Sequence, residues 1–244
     1  MSDAMMTERV VISRRFRGRP ESGNGGYVCG LLAGIIAGPA EVTLRRPPPL
    51  DCPLAVERLG GGAIALREGE TLIAEGAPAA VEIDVPAPVA FDDAQAASKG
   101  YLGLRAHGSP GCFVCGPQRA YGDGLRIFPG HIDGREIVVA PWTPDASLAA
   151  AEGTVRPEFV WASLDCPGYW SLSREPSGRR LAVLGRLAAK LVSPVRPGER
   201  CVVVGWPLGE DGRKFYSGTA LFGADGQLRA FARATWIRTA DART

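Results

Sequence analysis

"ESGNGGYVCGLLAGIIAG" (residues 21–38) decides the reading of this chain. Three glycines and an asparagine lead straight into apolar residues that read as a buried helix, stopped near Gly38 and Pro39. A packed helix needs no glycine at its entrance. Backbone that must come close to another group does, because glycine has no Cβ. Asn24 stands where an N-cap belongs. A phosphate loop is excluded: "GNGG" fits neither the dinucleotide nor the P-loop spacing, and no parallel β-α-β order surrounds it.

On either side of this helix the chain alternates short β-rich runs with turn signals. "RVVISRRF" (9–16) precedes it, and "EVTLRR" (41–46), "CPLAVERL" (52–59), "AIALRE" (63–68), "TLIAEG" (71–76) and "AAVEIDV" (79–85) follow, all expected as strands. Residues 86–123 read as a linker with one helical candidate at 91–98. Strands are then expected at 124–130 and 135–142, a helix within "RPEFVWASLDCPGYWSL" (156–172), and strands at 180–193, 199–208, 213–223 and 227–238.

Strand, helix, strands therefore occurs twice, an internal duplication in element order. Residue matches in the same order support it. "YVCGLLA" (27–33) lies over "FVWASLD" (159–165), "LRRPPP" (44–49) over "LVSPVRP" (191–197), and "LREGETLIAEGA" (66–77) over "LFGADGQLRAFA" (221–232). The expected organisation is a first unit over 1–86, a linker over 87–123 and a second unit over 124–244.

Composition narrows the function classes. The chain has 244 residues, 45% hydrophobic and 22% charged, which suits a globular protein of one large or two small packed domains. A net charge of +2 with no long basic block argues against a nucleic-acid surface. No run approaches roughly 18 apolar residues and the N-terminus lacks an apolar signal core, so neither membrane insertion nor secretion is expected. Six cysteines in a chain this long do not form a disulfide framework, and a cytoplasmic setting with reduced thiols is the expectation.

One helix followed by an antiparallel sheet, twice in one chain, with "NGG" (24–26) at the first helix entrance and "WASLD" ending in Asp165 in the second half, resembles the double hotdog fold of acyl-CoA thioesterases and their relatives. The segment "LVSPVRPGERCVVVGW" (191–206) is similar to their strand-Pro-Gly-strand passage. The resemblance covers about residues 8–85 and 124–238. It implies an α+β fold with two antiparallel sheets, each wrapped around a central helix, fused as a pseudo-dimer. It also implies hydrolysis of an acyl thioester, with coenzyme A the expected carrier, no cofactor, no nucleic-acid or membrane partner, and a capacity for homo-oligomer assembly. The departure is informative. Overlaying the halves sets Asn24-Gly25-Gly26 on Arg156-Pro157-Glu158 and Asp165 on Ala33, so each half keeps only part of the family's site.

The residues themselves suggest how the parts could work. A helix N-terminus offers unpaired N–H groups and a positive dipole end, which suit the oxyanion formed when water attacks a thioester. Gly26 and Asn24 are therefore candidate catalytic residues, with the N–H of Gly26 or Tyr27 as oxyanion donor; the plainer reading is a glycine turn closing onto a core helix. Gly25, Tyr27 and Trp161 are candidate substrate contacts. Asp165, in an apolar helix, is the candidate general base, since a buried carboxylate costs several kcal/mol unless paired. The alternatives are an exposed helix face or a bond to the "CPG" turn. Glu158 is a reserve base.

"CFVC" (112–115), with His107 before it and His131 after it, has donors for zinc, yet a single C-x-x-C lacks a second pair. It is expected to be linker packed on the second half, with no metal. Cys29, Cys52, Cys166 and Cys201 read as small core residues, and Cys166 has no sequence-local His to make it a nucleophile. Arg14, Arg15, Arg17, Arg19, Arg45 and Arg46 could meet coenzyme A phosphates or serve only as solvated edge charge. A hydratase is disfavoured because neither His lies on a candidate helix. A non-catalytic acyl-ligand binder with eroded sites remains the alternative function.

Overall fold

The computed structural model describes residues 8–172 and 182–239; the first two residues of the strand expected at 180–193 lie outside them. The first half contains β1 (Glu8–Val11), helix α1 (Gly25–Ala33), β2 (Ala40–Leu44), β3 (Pro53–Arg58), β4 (Ile64–Glu68) and β5 (Thr71–Pro78). Helix α2 (Phe91–Ser98) follows. The second half contains β6 (Gly130–His131), β7 (Val138–Trp142), α3 (Pro157–Ser163), α4 (Cys166–Trp170), β8 (Ala182–Leu191), β9 (Cys201–Asp211), β10 (Lys214–Phe222) and β11 (Leu228–Arg238).

The eleven strands of the described residues join one antiparallel sheet in the order β1-β3-β4-β5-β2-β8-β11-β10-β9-β7-β6. This corrects the expectation of two sheets. Ala40–Thr43 of β2 pair with Ala189–Arg186 of β8, so the two half-sheets share a hydrogen-bonded seam. Outward from that seam, β5, β4, β3, β1 on one side correspond in order to β11, β10, β9, β7 on the other. The matched hairpins at 66–77 and 221–232 are β4–β5 and β10–β11, which occupy equivalent places.

Other boundaries moved for local reasons. Residues 79–85 form no strand: Pro78 ends β5 and Pro86 and Pro88 follow, in chain that runs to α2 without regular structure. Of 124–130 only Gly130 is in a strand, and 12–16 leave β1 for a 3-10 turn at Arg14–Phe16. The helix expected across 156–172 is broken. Pro167 has no N–H and would clash with the carbonyl four residues earlier, so α3 stops at Ser163 and α4 starts at Cys166.

Two apolar clusters result. The main core holds α1, α3 and the inner sheet face, where Ala230, Ala232 and Ala234 alternate along β11 with no side chain exposed. A second cluster sets α2 against Val139, Val202, Val204, Ala220 and Phe222, covering the outer face of the second half-sheet. The supposed linker is thus part of the packing. Phe113 also joins the halves, packing edge-on against Phe16 and Tyr27 and tilted against Phe159, while its N–H donates to the Arg17 carbonyl. Among the described residues no helix is long and apolar enough to cross a membrane.

Candidate functional site

Helices α1 and α3 pack against each other at the centre of the molecule. Gly26 and Gly30 make this contact close. A Cβ on Gly30 would lie 2.6 Å from the Glu158 Cα, and one on Gly26 would lie 2.5 Å from the Asp165 Cβ. The glycines at the helix entrance therefore admit the other half of the chain.

The contact ends in a hydrogen-bonded knot. Asp165 Oδ2 accepts from the Gly26 N–H and from Asn24 Nδ2, both at 2.9 Å, across 139 and 141 residues of sequence. Asn24 is also the N-cap of α1, its Oδ1 accepting from the Tyr27 N–H at 2.9 Å. One amide side chain thus caps the helix and holds the acid. Among the described residues the Gly25 N–H, first in the helix, has no hydrogen-bond acceptor.

Asp165 sits in the gap between α3 and α4, with Asn24 and Asp165 each only 3% exposed. The break frees the Leu164 carbonyl, which accepts from Thr219 Oγ1 of β10 at 2.8 Å. On the far side, the Gly168 N–H donates to the Asp165 carbonyl. The carboxyl is thereby aimed at α1 by backbone held on both sides. Burial raises its pKa to about 7; the Gly26 N–H opposes this, the Cys112 charge adds to it, and the Asn24 amide opposes it again.

Asn24, Gly25 and Asp165 line a cavity of about 730 Å³. Arg19, Arg45 and Arg46 stand on its wall, together with apolar Leu44, Leu184 and Trp236. Tyr27 and Trp161, expected as substrate contacts, do not line it. Tyr27 is stacked 4.2 Å from Phe16 in the aromatic cluster, and Trp161 packs under Gly30 at the helix crossing. Glu158 lies at that crossing too. Another cavity, of about 760 Å³, is lined by Phe113, Arg126, Trp142 and Pro144 and contains none of these groups.

Sequence reading missed the sulfur cluster beside the acid. Cys112, Cys115 and Cys166 bring their Sγ atoms within 4.8 Å of one another, and all three line the same cavity. Only the C-x-x-C spacing hinted at it; nothing local ties Cys166 to residues 112–115. Hydrogen bonds from the Cys115 and Cys166 thiols hold Cys112 well below the usual thiol range, while contact with Cys112 pushes Cys166 up. His131, on β6, is outside the cluster.

No model of a known protein family matches the sequence, and no curated protein matches it. Solved structures do. A candidate thioesterase II from Thermobifida fusca superposes with a TM-score of 0.60 at 14% identity, over 95% of this chain and 92% of that one. A protein of unknown function with a hot dog fold from Alicyclobacillus acidocaldarius gives 0.59 at 10% identity, over 99% and 96%. A thioesterase superfamily protein gives 0.42 at 17% identity over 47% of this chain; the chain spans 54% of its length. Over nearly its whole length the chain has the hotdog fold.

Proposed function

We propose that the chain hydrolyses an acyl thioester, with coenzyme A as carrier, at a single site assembled from both halves. The observation that carries this reading is the pairing of Asp165 with the N-terminus of α1 inside a cavity that also has cationic walls. Both hydrogen bonds fall on Oδ2, so Oδ1 is the oxygen assigned to water. Water attacks the thioester carbonyl carbon as Asp165 takes its proton. Charge develops on the carbonyl oxygen, and the Gly25 N–H at the positive end of α1 stabilises it. The carbon–sulfur bond then breaks, and the departing thiolate takes the proton from Asp165. Arg19, Arg45 and Arg46 would pair with the phosphates of the carrier, and Leu44 and Leu184 would contact the acyl group.

One observation favours a second reading, that of a non-catalytic acyl-ligand binder. The Gly26 and Tyr27 N–H groups, the donors expected for an oxyanion, are already paired with Asp165 and Asn24. A panel of acyl-CoA esters of increasing chain length separates the two. Asn at position 165 keeps an acceptor oxygen for Gly26 and Asn24 but removes the base. Asp165→Asn is expected to melt near the parent temperature while hydrolysis falls by about 10²- to 10⁴-fold, the usual contribution of general-base catalysis. No turnover of any ester by the parent protein, with ligands still raising its melting temperature, selects the binding reading.

A further inference from the structure

We propose that Cys112, Cys115 and Cys166 form a binding site for a thiophilic divalent cation, zinc being the type. Their spacing carries the idea. Zinc–thiolate bonds of about 2.3 Å in a tetrahedral arrangement separate the sulfurs by about 3.8 Å. Cys112 and Cys166 Sγ are 3.8 Å apart, and the third sulfur completes a triangle with no separation above 4.8 Å. Three buried thiols converging from segments 54 residues apart have no packing requirement to meet at their sulfur atoms.

The surroundings suit thiolate ligands. Asn24 Nδ2 lies 3.9 Å from Cys112 Sγ. The Ser109 N–H donates to His107 Nδ1 at 2.9 Å, so the neutral ring carries its proton on Nε2 and turns it toward Cys115, whose sulfur is 3.3 Å away and whose carbonyl is 3.2 Å away. N–H donors directed at coordinating sulfur are the outer partners such sites use. The set supplies three protein ligands, and because all three sulfurs line the cavity, a ligand from the cavity takes the fourth position. Bound there, the metal would tie the 112–115 segment to the residue that follows Asp165.

Cobalt(II) titrated anaerobically into reduced, chelator-treated protein tests it. The expected result is a thiolate-to-cobalt charge-transfer band with tetrahedral visible bands, saturating at about one equivalent and displaced by zinc. Cys112→Ser and Cys166→Ser should each weaken the apparent affinity at least about 100-fold, since each removes a direct ligand and outer partners alone are worth 10- to 100-fold. Cys52→Ser, at a half-buried cysteine outside the cluster, should leave the titration unchanged. Far-ultraviolet circular dichroism checks that the variants fold, and the parent titration is decisive even where one does not. Absence of the band in reduced parent protein overturns the proposal. So does an unchanged band in folded Cys112→Ser or Cys166→Ser protein.

Discussion

Asn24 does two tasks with one amide, and its two ends are not interchangeable. Its oxygen caps α1 through the Tyr27 N–H, and its nitrogen donates to Asp165. Asn24→Asp keeps the cap acceptor but turns an oxygen toward Asp165 Oδ2 where a donor stood. Replacing a donor by an acceptor in a buried pair costs about 1–3 kcal/mol, so the urea midpoint should drop while the slope of the transition stays the same. Gly26 sets the companion constraint. Gly26→Ala drives a methyl into the Asp165 Cβ and the Trp161 carbonyl, neither of which is the end of a flexible chain. Overpacking of this kind costs about 1–3 kcal/mol, and it should also displace the carboxyl and reduce hydrolysis.

At the level of the elements, the crossing of α1 and α3 depends on Gly30 and not on every glycine of the run. Gly30→Ala meets backbone of α3 at 2.6 Å, whereas Gly34→Ala meets only ordinary contacts at 3.5 Å. Chemical unfolding should show Gly30→Ala destabilised by about 1–3 kcal/mol and Gly34→Ala unchanged or stabilised by up to about 1 kcal/mol through the unfolded chain. The start of α1 was legible because Asn-Gly-Gly before an apolar run is a local signal. The hairpins β4–β5 and β10–β11 were legible for the same reason, each marked by a Gly-containing turn between alternating runs. The end of α3 was not: it is set by Pro167 together with Thr219, which takes up the freed Leu164 carbonyl from a strand 55 residues later. The close approach that the glycines signal is legible, but the group that makes it is not: Asp165 and α3 stand against Gly26, and Leu184 and Leu44 against Gly25. The sulfur cluster was hidden likewise, since its third member reaches the C-x-x-C pair only through the tertiary fold.

For the molecule as a whole, the seam between β2 and β8 and the burial of α1 against α3 make each half the completion of the other. Separate expression of residues 8–85 and 124–239 should give chains that do not fold alone, and the intact protein should unfold in one transition by fluorescence and circular dichroism; two separated transitions would mean the halves are independent. The repeated order of elements was visible in the sequence, while the single continuous sheet was not, because seam pairing involves residues with no sequence relation to each other. Asn24 of one half holds Asp165 of the other, and a double-mutant cycle measures that contact directly. Unfolding free energies for the parent, Asn24→Ala, Asp165→Ala and the double variant should give a coupling of about 0.5–3 kcal/mol, as found for groups in direct contact. Additivity within about 0.3–0.5 kcal/mol, the behaviour of distant sites, would contradict it.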